Sequence, residues 1–315
     1  MTTTQSDQRP MICDEVEVRS IERLSPTYVR VEFGGDALAD FGVDGPLYDQ
    51  RIKLVFPTDS GSLPSFADAE QSWVEAWMAQ PPEERGHMRT YTVRAVRGEG
   101  RDTRIVVDFV LHLAEGATGP ASTWAAGAGI GDRLMMIAPR RGMPFGGIEF
   151  DPAGARTILL VADETAVPAV SSILDSLPDG TRGHAFLEVP LAGDVLDVRC
   201  PVGMEIVWLP RSGDPLGEPL RAAVLAHLGV ASPAEPFELE VDDDLWETPA
   251  YSSSGEEILD QAVTVGHDLD GLYAWIAGES AVVTGLRRHL VNELGMDRRQ
   301  VAFMGYWRRG VAMRS

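Results

Sequence analysis

Through residues 15–33 apolar and polar side chains alternate with the two-residue period of a half-buried strand, first in VEVRSIERL and again in TYVRVEF, with Ser25-Pro26 breaking the run. The pattern predicts two strands joined by a turn. QRIKLVF at 50–56 predicts a third, and residues 88–96, 103–112 and 133–138 predict three more. Such a set, antiparallel in character, is enough to close a small six-stranded barrel. Between the third and fourth strands the period changes. In FADAEQSWVEAWMAQ at 66–80, Trp73, Val74, Trp77 and Met78 fall at helical spacing, and Pro81-Pro82 stops the segment. Residues 1–12 read as a loose polar arm.

The glycine- and proline-rich stretch RRGMPFGGIEFDPAGA at 140–155 marks a domain boundary. Beyond it, apolar runs at 157–162, 185–189, 205–209, 273–277 and 300–306 alternate with helical segments reaching 177, spanning 216–228 and spanning 280–294. Strand–helix alternation predicts a parallel α/β sheet. The expected fold is therefore an N-terminal six-stranded antiparallel β-barrel over residues 13–145 and a C-terminal parallel α/β nucleotide-binding domain over 155–315. The acidic segment 235–270 lacks clear periodicity and reads as a long surface excursion.

Composition narrows the function classes. The 315 residues, 44% of them hydrophobic, are enough for two buried cores. Lys+Arg 27 against Asp+Glu 48 gives a net charge of −21, which opposes sequence-independent binding to nucleic acid or to an anionic membrane surface. Two distant cysteines, Cys13 and Cys200, argue for a reducing compartment and against a disulfide framework, a zinc site or an iron–sulfur cluster. His87, His184, His227, His267 and His289 show no ligand spacing, so no metal site is expected. The polar start MTTTQSDQRP carries no secretion signature, and no apolar run reaches membrane-spanning length. A cytoplasmic protein is expected.

Candidate chemistry begins at MRTYTVR, where Arg89, Tyr91 and Thr92 place a guanidinium fork, a flat ring and a hydroxyl within a few residues of one another on one strand. A guanidinium suits a pyrophosphate, an aromatic ring packs on a planar heterocycle, and a hydroxyl bonds a ring nitrogen. These are the needs of a flavin dinucleotide, although the same pattern also serves a strand with one buried and one exposed face. The next strand, DFVLH, is followed by Gly119-Pro120-Ala121-Ser122-Thr123, a turn into a helix start whose backbone N–H groups suit an anion or merely a cap. In the second half, Asp163-Glu164-Thr165 and Gly278-Glu279-Ser280 each follow a predicted strand and lead into a helix, as nucleotide loops of parallel sheets do. Gly127-x-Gly129-x-Gly131 is rejected as a dinucleotide fingerprint because it follows a helix and precedes a strand.

In order along residues 15–310, RTYTVR, DFVLH, GPASTWA, VADETAVPAV, YAWIAGES and GYWRRG resemble the siderophore-interacting protein family, the ferric-siderophore reductases among the ferredoxin-reductase-like flavoproteins. The resemblance implies FAD and NADH or NADPH as cofactors, with Arg89 at the pyrophosphate, Tyr91 beside the isoalloxazine and Thr92 near its reactive nitrogen. It implies Ala121, Ser122 and Thr123 at the phosphates and Asp108 and His112 at the ribose, adenine or flavin. It further implies Asp163, Thr165, Gly278 and Glu279 in the loops facing the cofactors, with Ala162 where the pattern usually has Gly, and Trp307 as a carboxyl-terminal aromatic near the flavin. The implied reaction is electron relay from NAD(P)H through the flavin to chelated Fe(III), releasing Fe(II), so no side chain is expected to act as a catalytic acid, base or nucleophile. Because many ferric chelates are anionic, Arg51, Lys53, Arg308 and Arg309 are the candidate substrate cations, with a ferric siderophore as substrate and ferredoxin as an alternative donor. Two other readings stay open: a general NAD(P)H–flavin or quinone reductase, and a flavin- or chelate-binding carrier without turnover.

Overall fold

The computed structural model describes residues 9–58, 60–66, 73–111, 119–230, 246–248, 251–252, 269 and 271–310. They form two compact units that meet in sequence at Ile148 and Glu149. His112, most of the acidic segment 235–270, and the first part of the helical segment expected at 66–80 lie outside the described residues.

The first unit is a seven-stranded antiparallel sheet built from β1 (Met11–Arg23), β2 (Tyr28–Gly34), β3 (Arg51–Phe56), β4 (His87–Thr92), β5 (Ala95–Arg97), β6 (Arg104–Val110) and β7 (Arg133–Pro139), in the order β4-β3-β7-β1-β2-β6-β5. β4 and β5 are consecutive in the chain yet occupy opposite ends of the sheet. The two residues between them make the transfer: Val93 N–H donates to Gln50 O at 2.8 Å, and Arg94 N–H to Val106 O at 2.9 Å. The sheet must therefore curl on itself, and the run expected as one strand at 88–96 is divided between its two edges. This is why a six-strand expectation meets a seven-strand sheet.

Alternation along the strands sorts the side chains. Ile52, Leu54 and Phe56 of β3 pack inside with Val31, Phe33, Val107, Phe109 and Met136, while Val55 joins Met135, Ile137, Phe66 and Trp77 on the other face. Trp77 belongs to the short helix α1 (Trp73–Met78). Helix α2 (Pro120–Gly127) packs against β3, β4 and β6, and its Ala121 and Ala125 enter the inner core.

The second unit contains β8 (Thr157–Ala162), α3 (Val167–Ser176), β9 (Arg182–Val189), β10 (Gly203–Pro210), α4 (Glu218–His227), β11 (Trp246–Thr248), β12 (Tyr251–Ser252), β13 (Leu272–Glu279), α5 (Ser280–Arg287) and β14 (Val301–Trp307). The order is β10-β9-β8-β13-β14-β11-β12, parallel from β10 to β14, with β11 and β12 an antiparallel addition at one edge. Its parallel strands thus run third, second, first, fourth, fifth. In a doubly wound sheet this order reverses between the first and fourth strands, here β8 and β13, and ligands bind beyond the carboxyl ends of the strands at that point. Leu159 and Val161 of β8, Ile276 of β13 and Phe303 of β14 share one face with Val224 of α4 and Leu286 of α5. The helix expected over 280–294 continues past α5 as a π-helical turn, Arg288–Glu293.

Candidate functional site

In the barrel unit the decisive strand is β4. It pairs with β3 in the register Leu54↔Arg89, Ile52↔Tyr91 and Arg51↔Thr92. Opposed residues of an antiparallel pair share a face, so Arg89 and Tyr91 lie on the side of Leu54 and Ile52, the inner side. The Tyr91 ring sits 4.6 Å from Phe109 and 6.2 Å from Phe56. Trp124 of α2 touches those same two rings, at 5.9 and 5.2 Å between centroids. One aromatic cluster therefore ties the β4 strand to α2. Burial raises the Tyr91 phenol above its ordinary range, keeping it neutral. Burial also pulls Arg89 below its ordinary value, partly opposed by Tyr91, but a guanidinium so shifted remains charged at neutral pH.

Gly119 caps α2 and Pro120 opens it, so the first helical position has no N–H and the backbone donors begin at Ala121. Thr123 donates its N–H (3.0 Å) and its hydroxyl (3.1 Å) to Gly119 O. Among the described residues nothing lies within 4 Å of where a side chain at Gly119 would stand. Ala121 and Ser122 are buried.

Other expected residues fall elsewhere. Thr92 follows Tyr91 and so points to the opposite face, the side shared by Arg51, Lys53 and Thr90. There Lys53 Nζ donates to Thr90 Oγ1 at 2.6 Å, and burial, helped by Arg51, lowers its pKa. Asp108 is buried and committed within the protein: its two oxygens accept Arg30 Nε and Nη2 at 2.7 and 2.8 Å, with Arg94 Nε 3.8 Å away. Gly129 and Gly131 belong to the turn before β7, where Gly129 N–H donates to the Asp132 carboxylate.

In the second unit the loops expected at 163–165 and 278–280 do come together, at the switch point. Asp163 follows β8 and is 3% exposed. Its Oδ1 accepts Thr165 N–H at 2.8 Å and the Thr165 hydroxyl at 2.6 Å, and its Oδ2 accepts Glu279 N–H at 2.7 Å and the indole Nε1–H of Trp307 at 2.8 Å. Glu279 caps α5 through Ala281 and Val282 N–H and accepts Arg309 N–H at 3.1 Å. The close approach that favours glycine falls at Gly278: with φ +153°, a Cβ there would stand 2.7 Å from the Asp163 carboxyl carbon. Ala162 is buried in register with Ala277, away from that approach. Arg308 and Arg309 follow β14 directly, and Arg309 is exposed.

Sequence reasoning missed the network behind this turn. Glu164 and Glu188, both buried, hold Arg211: Nη1 and Nη2 donate to Glu164 at 2.7 and 2.9 Å, and Nη1 also reaches Glu188 at 3.1 Å. Glu188 in turn accepts Gly217 and Leu220 N–H at the start of α4. Burial opposes the charge on Arg211, but the hydrogen bonds and field of Glu164 and then Glu188 outweigh it and raise its pKa.

Residues 17–143 match the siderophore-interacting FAD-binding domain, and residues 155–310 match the siderophore-interacting protein model. The chain belongs to the siderophore-interacting protein family. An uncharacterized protein of Mycobacterium tuberculosis is 33% identical over 306 residues, 93% of this chain and 89% of that one. Ferric vibriobactin reductase ViuB of Vibrio cholerae is 29% identical, covering 91% of this chain and 86% of its own. A siderophore utilization protein from T. fusca, a solved structure, superposes with a TM-score of 0.68 at 28% identity, covering 98% and 97% of the two chains.

FAD is the cofactor of this siderophore-interacting protein's first half, and its residues fit the group. A half-buried guanidinium and a tyrosine ring on one strand face lie beside a helix whose first turn carries backbone donors from Ala121 onward. The second half carries a titrating group. Burial, then Glu164, push Asp163 from 3.8 up to about 7, against the hydrogen bonds from Thr165 and Trp307. A folded carboxyl pKa above the unfolded one means the native state holds the proton longer. Asp163 therefore weakens folding progressively as pH rises from about 4 to about 7, and not below that window. Asp163→Asn should accordingly melt higher relative to the parent at pH 8 than at pH 5. Thermal melts of both proteins across that range check it, and a difference that stays constant with pH refutes the raised pKa.

Proposed function

We propose that this chain is a ferric-siderophore reductase that takes electrons from NADH or NADPH and delivers them through FAD to Fe(III) held in a chelate, releasing Fe(II). The observation that carries this reading is the pairing, within one siderophore-interacting chain, of a flavin-dinucleotide cradle around Arg89, Tyr91 and α2 with a parallel sheet whose switch point is built from Asp163, Gly278 and Glu279. The similarity to ViuB, a ferric vibriobactin reductase, supports the acceptor class. We assign FAD to residues 13–145 and the nicotinamide dinucleotide to residues 155–315.

FAD, when bound, supplies the change from a two-electron donor to single-electron delivery. The chain's own part is to hold and shield. Arg89 meets the pyrophosphate with its fork, Ala121 and Ser122 offer backbone N–H donors to the phosphates while Thr123 closes the turn onto Gly119 O, and Tyr91 flanks the ring system. Fe(III) in hard oxygen ligands is released on reduction because Fe(II) binds them less tightly. A net charge of −21 disfavours docking of an acidic carrier protein such as a ferredoxin, so a small nicotinamide donor is the better reading. Unpaired Cys13 and Cys200 agree with a cytoplasmic setting.

The test is anaerobic. NADH or NADPH should bleach the bound flavin, and a ferric chelate added afterwards should restore its colour; a flavin that neither donor reduces leaves only a carrier. An anionic chelate approaching so acidic a protein requires a local positive surface, and Lys53 with Arg51 on β3 offers one. Lys53→Ala is expected to raise KM for an anionic ferric siderophore by roughly tenfold while flavin reduction by NAD(P)H proceeds at the parent rate. Steady-state kinetics with one anionic and one neutral chelate check this, and equal losses for both would remove Lys53 from the substrate site.

A further inference from the structure

We propose that Asp163 is a positioning residue that fixes the Trp307 indole as one wall of the nucleotide crevice, so that the nicotinamide dinucleotide meets a preset aromatic surface. The inference rests on the donor reading above. Trp307 closes β14, which lies beside β13, so its backbone is at the carboxyl edge of the sheet where nucleotides bind. Its side chain does not reach Asp163 by simple register. Gly278 pairs with Gly305, but the next pair is Glu279 with Trp307, so one extra residue is inserted in β14. An inserted residue reverses the alternation of side chains that follow it and re-aims them. Here it turns the indole toward β8.

Three ties then hold the residue. The indole N–H donates to Asp163 Oδ2, the Ser280 hydroxyl donates to Trp307 O at 3.0 Å, and the backbone pairs with Glu279. The same Oδ2 accepts Glu279 N–H, so one buried atom sets both the indole and the turn into α5. Among the described residues the donors to Asp163 are Thr165, Glu279 and Trp307, none of them a side-chain cation. Its acceptor capacity is spent on orientation. Trp307 itself is half-buried, so the residue is not sealed inside the core, and an indole is a surface on which a planar heterocycle packs. A crevice wall held at three points needs no reordering when the ligand arrives, and that saves binding free energy.

The experiment uses the full FAD-loaded chain and two readouts. In a ¹H–¹⁵N spectrum the Trp307 indole signal, assigned by its loss in Trp307→Phe, should be protected from solvent exchange in the parent and exposed in Asp163→Ala. Calorimetric Kd values for the nicotinamide dinucleotide should rise roughly five- to tenfold in Asp163→Ala, and Asp163→Asn, whose amide oxygen can still accept the Glu279 and Trp307 N–H groups while its NH2 faces the Thr165 donors, should restore part of the loss. In the Trp307→Phe background, Asp163→Ala should change Kd less than about twofold, because the contact it supports is already gone. An indole still protected in Asp163→Ala, or an equal loss of affinity in both backgrounds, overturns the role of Asp163. A parent that binds neither NADH nor NADPH overturns the donor reading itself, and this proposal with it.

Discussion

Replacing Arg211 with alanine is expected to destabilise the α/β unit by about 3–5 kcal/mol, because it leaves two buried carboxylates without their shared cation. The Arg211 side chain is 14% exposed, against 3% for Glu164 and 0% for Glu188, so water cannot take over its role. Glu188 keeps Gly217 and Leu220 N–H as donors, but Glu164 loses the bidentate fork at 2.7 and 2.9 Å. Both carboxylates would have to bind protons or open the start of α4 to solvent. Either response costs stability near neutral pH. For a unit of this size the melting temperature should fall by about 10 °C. Glu164→Gln should be milder, since Arg211 retains Glu188. Combining it with Arg211→Met should recover part of the loss, because one of the two charges is then gone. Thermal and denaturant unfolding of the full chain would measure all three. A change below about 1 kcal/mol in Arg211→Ala would mean that the network is open to water.

That network marks where the sequence stops speaking. The strands were legible because alternation is local: VEVRSIERL and TYVRVEF each carry their own period, and β1 and β2 cover them, although β1 starts earlier, at Met11, where pairing with β7 and burial of Ile12 draw in the end of the stretch expected as a loose arm. The split of 88–96 between two edges was not, since MRTYTVRAV contains no glycine, proline or other turn residue and only the curl of the sheet divides it at Val93 and Arg94. In the second unit the turn residues Asp163 and Gly278 could be found because each follows an apolar run and precedes a helix. That they touch depends on strand order, which no local pattern encodes. Arg211 is harder still. It meets Glu164, 47 positions earlier, and its surroundings in LPRSGDP look like an ordinary loop. Asp108 shows the same gap: its place on the strand before the phosphate turn points to a ligand, while its pairing through both oxygens with Arg30, 78 positions earlier, has no local signal. Buried charges are assigned by their partners, and partners are set by topology.

Arg89→Ala should loosen the hold on FAD. Arg89 lies on the face of β4 that carries Tyr91, and α2 packs against that strand, so one guanidinium and one helix start stand on the same side of the sheet. A pyrophosphate held by both has its charge neutralised by the cation and its oxygens satisfied by backbone donors. Removing the cation forfeits a charge-assisted contact worth about 1.5–3 kcal/mol, a loss of roughly ten- to a hundredfold in FAD affinity. Arg89→Lys should fall between, because an ammonium keeps the charge but cannot present two parallel donors. Lys53→Ala, on the opposite face of the barrel strands, should keep its flavin. The readout is FAD retained through gel filtration, followed by a fluorescence titration of stripped protein. Salt should weaken binding to the parent more than to Arg89→Ala, since only the parent keeps that ion contact to be screened. If Arg89→Ala held FAD as tightly as the parent, the pyrophosphate would have to lie away from β4, and Tyr91 would lose its place beside the flavin as well.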